Sequence, residues 1–488
     1  VKYLLLFLAA GSILQADLPA LSESQVSSTH ASYDGNALIL QGRVQLEHGL
    51  GIIQAEEAFL QKQENNKDFP FSFISLKKDV LLSLKNEAKL SCSFADLDFH
   101  ALTGVLTAAE NERVRYQDLL KKDGKNPVPF EILGSCIDLQ LAKKISSSDS
   151  LTYEIDSLLA KGPIQIQYAK DFSLESDEAL YEASSPSSKS LQGKVHAYPK
   201  DPSSQCRLSY LGESLLADRI DIDIDQSELT IAKPKGSLPF HFFGGNGSGK
   251  LSLESGKLFW NHLKNILVLQ DKVHLKEPNL GLFYAENSMT LEQGSDHGKP
   301  FIKSAHIEGP SRLEYESLAG GLKQVISCFG TLHVDGLKGQ ITMTSPAEEK
   351  QQIEYVDGEM RLLADHAFLE YSDQTYEPIS LTLKGNVSVR SATSEKPFRC
   401  AIADRLSYCP DTKTLILSAL PKKKVLFSDE EQHIAMSAQE VHLTQDSVTG
   451  KTQVKGIGNV KFFLSSEENS LLQAWIPSYR YEVSNANP

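Results

Sequence analysis

The chain has 488 residues, with 49 Lys plus Arg against 63 Asp plus Glu and a formal net charge of -14. With 41% hydrophobic and 23% charged residues it has the balance of a folded globular protein, neither disordered nor saturated with membrane segments. The acidic total argues against a wide basic surface, so nucleic acid is not an expected partner.

The N-terminus comes first in chain order. Val1-Lys2-Tyr3 precedes an apolar stretch over residues 4–14, followed by Gln15-Ala16-Asp17. A short positive segment, a short apolar core and a small residue at the junction predict a secretory signal peptide over 1–16. A buried first strand or an uncleaved anchor is the alternative. No other apolar run reaches membrane length. An exported chain also works without cytoplasmic ATP. Six cysteines at 92, 136, 206, 328, 400 and 409 permit three disulfides in such a chain, and Cys400 with Cys409 could bridge adjacent strands. The absence of CxxC spacing speaks against a zinc or redox centre.

From there the sequence predicts β structure almost throughout. Short alternating runs are separated by Gly, Asp, Asn, Ser and Pro, and Ile220 to Asp225 alternates apolar and acidic residues strictly. The one helical candidate is Thr107 to Lys121. Two motifs recur. One is a Gly or polar turn before an alternating strand: Gly42-Arg43-Val44, Gly162-Pro163-Ile164, Asp271-Lys272-Val273, Gly330-Thr331-Leu332, Gly385-Asn386-Val387 and Gly458-Asn459-Val460. The other is a small residue, an acid and then an apolar strand reaching an aromatic: Ala55-Glu56-Glu57-Ala58-Phe59, Ser176-Asp177-Glu178, Ala364-Asp365-His366 and Ala403-Asp404-Arg405. They read as rungs of one stacked architecture, since a single rung cannot bury its own apolar face. Loops are expected at Ser184 to Ser188, Lys233 to Gly236, Gly244 to Gly249 and Ser345 to Glu349.

Chemistry-bearing motifs are scarce. Gly244 to Lys250 has the glycine and lysine spacing of a phosphate-binding loop. Leu251 stands where a magnesium-binding hydroxyl is needed, and Leu251-Ser252-Leu253-Glu254 alternates like a strand. The thirteen histidines are scattered, His274, His333, His366 and His442 among the repeated strands, with no close ligand set. No GxSxG elbow is present. Asp177, Asp218, Asp365 and Asp404 are expected to accept backbone N–H bonds where the chain turns. No catalytic residue, metal or cofactor is therefore expected. The apolar strand positions carry the functional reading. Leu38, Leu40, Val44, Leu46, Ile53, Ala55 and Phe59 would face one interior, either a packed core or a trough for acyl chains, each buried CH₂ contributing about 0.8 kcal/mol.

Tyr33 to Gly49, followed by Ile53 to Phe59, resembles the organic-solvent-tolerance (OstA-like) domain. That domain occurs in the periplasmic bridge protein of lipopolysaccharide transport and in the N-terminal part of its outer-membrane partner. The likeness returns in Lys384-Gly385-Asn386-Val387, Ala403 to Tyr408, Thr414 to Leu417, Ala438-Gln439-Glu440 and Gly458-Asn459-Val460. Gly-Arg-Val and Ala-Glu-Glu-Ala-Phe are mild departures, and the chain is long for the bridge protein. The resemblance implies an all-β fold: a stacked antiparallel jelly roll or β-taco, elongated, in two or three bodies. It implies OstA-like domains over 17–185 and 346–475, a diverged β region over 186–345 and a polar tail over 476–488. It implies periplasmic, outer-membrane-associated binding and transport of lipopolysaccharide or a related glycolipid, without catalysis. An inner-membrane lipid exporter and an outer-membrane translocon would be partners, with end-to-end assembly of copies. The implied groove residues are Leu38, Leu40, Val44, Leu46 and Ile53, with Val387, Val389, Leu415 and Leu417. Lys422, Lys423 and Lys424 could meet phosphates. The competing readings are a structural β-solenoid of the cell envelope and a carbohydrate-active β-helix enzyme.

Overall fold

A computed structural model describes residues 25–62, 71–120, 128–145, 151–168, 171–184, 192–240, 242, 250–277, 281–296, 299–315, 323–346, 351–356, 360–372, 378–391, 399–430, 434–445 and 452–463. The expected signal peptide, the whole Gly244 to Gly249 loop and the polar tail lie outside this set. Among the described residues forty strands are formed. Among the described residues the neighbouring strands pair antiparallel, and one isolated bridge, Phe242 with Ile302, is parallel. No helix among these residues is long and apolar enough to cross a membrane.

The chain divides into two compact units, Val1–Ile231 and Ala232–Pro488. The boundaries expected near 185 and 345 both adjoin residues outside the described set.

Within the first unit, pairing follows two hydrogen-bonded ladders that share their longest strands. The strand Ala37–His48 shows how. Its first half pairs Leu40 with Ala58 and its second half pairs Leu46 with Ile53, across a register shift between Gln41 and Val44. Strand Phe172–Ala183 likewise pairs its first half with Cys206–Tyr210 and its second half with Gly193–Tyr198. The second unit repeats the scheme. Strand Pro378–Ser391 pairs with His366–Tyr371 before Gly385-Asn386 and with Met360–Ala364 after it. Each long strand therefore bends from one ladder into the other. Where strands are short, the chain changes ladder between them. Facing antiparallel ladders joined by bent strands are consistent with a jelly roll or taco.

The bend explains both recurring motifs. Gly385 (φ +78) and Asn386 (φ 44) are left-handed, and together they stand opposite the single residue Asp404. Two residues against one is a β-bulge, which kinks the strand and deepens its twist. Gly42-Arg43 opposes Glu56 in the same way, and Gly162-Pro163 opposes Asp177. The glycine motif and the acid motif are thus two halves of one corner. Several of the glycine motifs were expected as turns between strands. Gly42, Gly162 and Gly385 instead lie in the middle of strands.

Three further expectations are corrected. The helical candidate after Thr107 is strand Val114–Leu120, preceded by a turn. Val114, Tyr116 and Asp118 are buried and alternate with exposed Arg115, Gln117 and Leu119, so period two wins over helix propensity. Phe59 points outward, 37% exposed, while Ala58 and Leu60 are buried. At the corner the neighbouring strand sets two residues, Gly42-Arg43, against Glu56 alone, and across that corner the buried set of Phe59's strand changes from Ile53 and Ala55 to Ala58 and Leu60. Cys400 and Cys409 lie on the same strand, Arg399–Cys409. They are nine positions apart on it, at opposite ends of the strand and on either side of the corner at Asp404, and all six cysteines are free thiols.

Candidate functional site

The inner faces of the ladders are the candidate site. Residues directly opposite in register share a face, so each ladder can be followed as a row. In the first unit one row passes from Leu46 through Ile53, Leu82, Leu90, Tyr116, Ile132, Ile166, Leu174 and Leu208 to Leu215. All of these are buried. The opposite ladder carries Leu40, Ala58, Leu76, Ala95, Leu106 and Ile137, then three alanines and Ile220. In the second unit the row through Val389 links Leu362, Ala401, Phe427 and Met436. The row through Leu417 links Leu383, Leu406 and Val441.

The nine expected groove residues all fall on these inner faces. Leu40, Val44, Leu46, Ile53, Val387, Val389, Leu415 and Leu417 are between 0% and 6% exposed. Leu38 is half-buried at the outer end of its strand, paired with exposed Tyr33. In this state the rows are closed by their own packing.

Aromatic side chains lock the ladders face to face inside each unit. His48 ends a strand of one ladder in the first unit. Its ring lies 4.1 Å from Phe99 and 5.1 Å from Tyr153, both belonging to the opposite ladder. The Leu50 N–H donates to His48 Nδ1 at 3.2 Å, which places the ring proton on Nε2. Burial, with a smaller push from Lys85, lowers the His48 pKa to about 4. In the second unit Phe240 meets Trp260 edge-on at 5.8 Å, and Phe242 stacks on Phe283 at 5.6 Å.

Polar side chains concentrate at the corners. Asp404 accepts the Leu420 N–H at 2.8 Å and pairs with Lys423 at 2.7 Å. Partial burial opposes its ionisation, yet those two partners hold its carboxyl below the usual range. Asp177 accepts the Lys200 N–H at 3.0 Å and the Ser204 hydroxyl at 2.8 Å. Asp365 takes side-chain amides, from Gln352 at 3.0 Å and Asn386 at 2.8 Å. Asp218 accepts from Gln205 Nε2 at 3.4 Å. The expected backbone acceptance thus holds for Asp177 and Asp404, whereas side-chain amides meet Asp365. Lys424 donates to the Asn459 carbonyl at 2.7 Å. Two of the three lysines considered for phosphates are therefore engaged in corner contacts.

One surface cleft of about 630 Å³ sits beside the corner at Asp79 and is lined by Val80, Cys92, Glu112, Arg113 and Arg115 among others. Burial pushes the Cys92 thiol up to about 12, far from the thiolate a nucleophile requires. The strand expected after the glycine loop is present as Leu251–Glu254, alternating buried and exposed. Among the described residues no three His, Cys, Asp or Glu side chains converge as metal ligands.

No known family matches the sequence, and no curated protein matches it. Among solved structures, part of the chain is similar to LptH, the LptA-homologous periplasmic component of the lipopolysaccharide transport device from Pseudomonas aeruginosa. The identity is 9%, the overlap covers 26% of this chain and 85% of that one, and the TM-score is 0.20. A score that low does not assign this chain to that protein's family.

Proposed function

We propose that the chain is a non-enzymatic lipid-handling protein of the bacterial periplasm, and that its inner apolar rows receive the acyl chains of lipopolysaccharide or a related glycolipid. The observation that carries this reading is the continuity of the rows. Aliphatic and small side chains follow one another strand after strand, and the polar groups that shape the fold are gathered at the corners. Leu38, Leu40, Val44, Leu46 and Ile53 form the acyl-contacting surface of the first unit in this reading. Val387, Val389, Leu415 and Leu417 form that of the second. Because the row residues are buried against one another, an acyl chain must part the facing ladders and replace side-chain contacts with its own. Exchange of one apolar contact for another costs little, whereas exposing the row to water would cost about 25 cal/mol per Å². Delivery would depend on an inner-membrane exporter and an outer-membrane translocon, with copies joined end to end.

A structural envelope protein without lipid is the second reading, and the tight closure of the rows favours it. Native mass spectrometry after incubation with lipopolysaccharide separates the two. The lipid-handling reading predicts a bound glycolipid that displaces a fluorescent acyl probe from the folded chain. Absence of both signals supports the structural reading.

A further inference from the structure

The surface cleft beside Asp79 lies where two strands part. Strand Lys89–Asp98 pairs with Val114–Leu120 only as far as Ser91 opposite Arg115, then runs on into the other ladder, where Phe94 faces Thr107. Residues 108–113 join its two partners across this fork. The cleft holds about 630 Å³, within the range of roughly 300–1,000 Å³ usual for small-molecule pockets. Leu81 and Leu133 line it from the outer face, and the buried Val80 and Cys92 line its depth. Its charged groups are unevenly matched. Ser93 faces the Lys78-Asp79 bulge, in the place that an acid takes at the other corners. Its hydroxyl accepts the Ala109 N–H at 2.7 Å and donates to the Glu112 carboxylate. Arg115 Nε meets Glu131 at 3.1 Å. Asp79 and Arg113, both exposed, have no ion-pair or hydrogen-bond partner among the described residues. One carboxylate and one guanidinium thus stand unused around an apolar cleft.

We propose that this cleft binds a single-chain zwitterionic amphiphile, its amine against Asp79, its phosphate against Arg113 and the first methylenes of its tail on Val80, Leu81, Cys92 and Leu133. A guanidinium offers a phosphate paired N–H donors in a matching plane, and an ammonium brings three donors to a carboxylate. A purely anionic head would set like charge against Asp79, and a purely cationic head would do so against Arg113. The tail gains from the apolar lining as its methylenes leave water. The cleft opens on the outer face of the first unit and fills without parting the facing ladders. It therefore stands apart from the reading of the inner rows.

The test is photolabelling of the folded full chain with a short-chain lysophosphatidylethanolamine that carries a diazirine near the head of its tail, with adducts mapped by mass spectrometry. Adducts are expected on the peptides that hold Val80 and Leu133. Arg113→Gln and Asp79→Asn, both at exposed positions, should each lower that yield severalfold. Unlabelled lysophosphatidylethanolamine should compete the adducts away, whereas lysophosphatidylglycerol, which lacks the amine, should compete severalfold less well. Cleft adducts that survive either substitution unchanged, or equal competition by the two lipids, overturn the zwitterionic site. Adducts confined to the inner rows overturn it too, and leave the lipid-handling reading standing.

Discussion

His48 shows how much one buried polar side chain can say about a sheet sandwich. It sits where two ladders meet, between Phe99 and Tyr153, and stays neutral because its surroundings exclude water. Its folded pKa of about 4 lies below the unfolded value near 6.5. Between those two values the unfolded chain binds a proton that the folded chain does not. Stability from this group is therefore full above roughly pH 6.5 and falls as the pH drops, by up to about 3 kcal/mol in all. Urea unfolding from pH 7 down to pH 4 should show a steeper loss for the native chain than for His48→Phe. Equal slopes would contradict a buried neutral imidazole. His48 stands two residues beyond Leu46 on the same strand, and the sequence reading did not single it out. Its ring partners come from strands about 50 and 100 residues further on, and no local pattern carries that information.

At the scale of the element, the corner is the repeated device. Its left-handed glycine has a physical reason at Gly385: a Cβ there would lie 2.5 Å from Asp365 Oδ2, at φ +78. Gly385→Ala should destabilise the second unit by roughly 1–2 kcal/mol, from the left-handed strain plus the displaced carboxylate. Chemical denaturation measures this, and an unaltered midpoint would contradict the account of the corner. The motifs themselves were legible in the sequence, because glycine, asparagine and acids recur beside alternating strands. Their pairing was not. That Gly385-Asn386 faces Asp404 depends on a register fixed by neighbouring strands. Phe59 turned outward at the same kind of corner, where alternation counted straight through Glu56 misses the switch opposite the Gly42-Arg43 bulge of the neighbouring strand.

For the whole molecule, period-two patterning was enough to give β structure almost throughout, the antiparallel stacking was what the resemblance implied, and all nine expected groove residues face inward. Closure of the rows could not be read from the sequence, because alternation is identical for a packed core and for an open trough. The lipid-handling account depends on the closed rows parting for an acyl chain. Its most direct test is a photoreactive residue placed in turn at Leu40 and Val389, with outward-facing Ile39 as control, in folded protein incubated with labelled lipopolysaccharide. The account predicts lipid adducts at Leu40 and Val389 well above those at Ile39. Adducts no stronger than at Ile39 would contradict it.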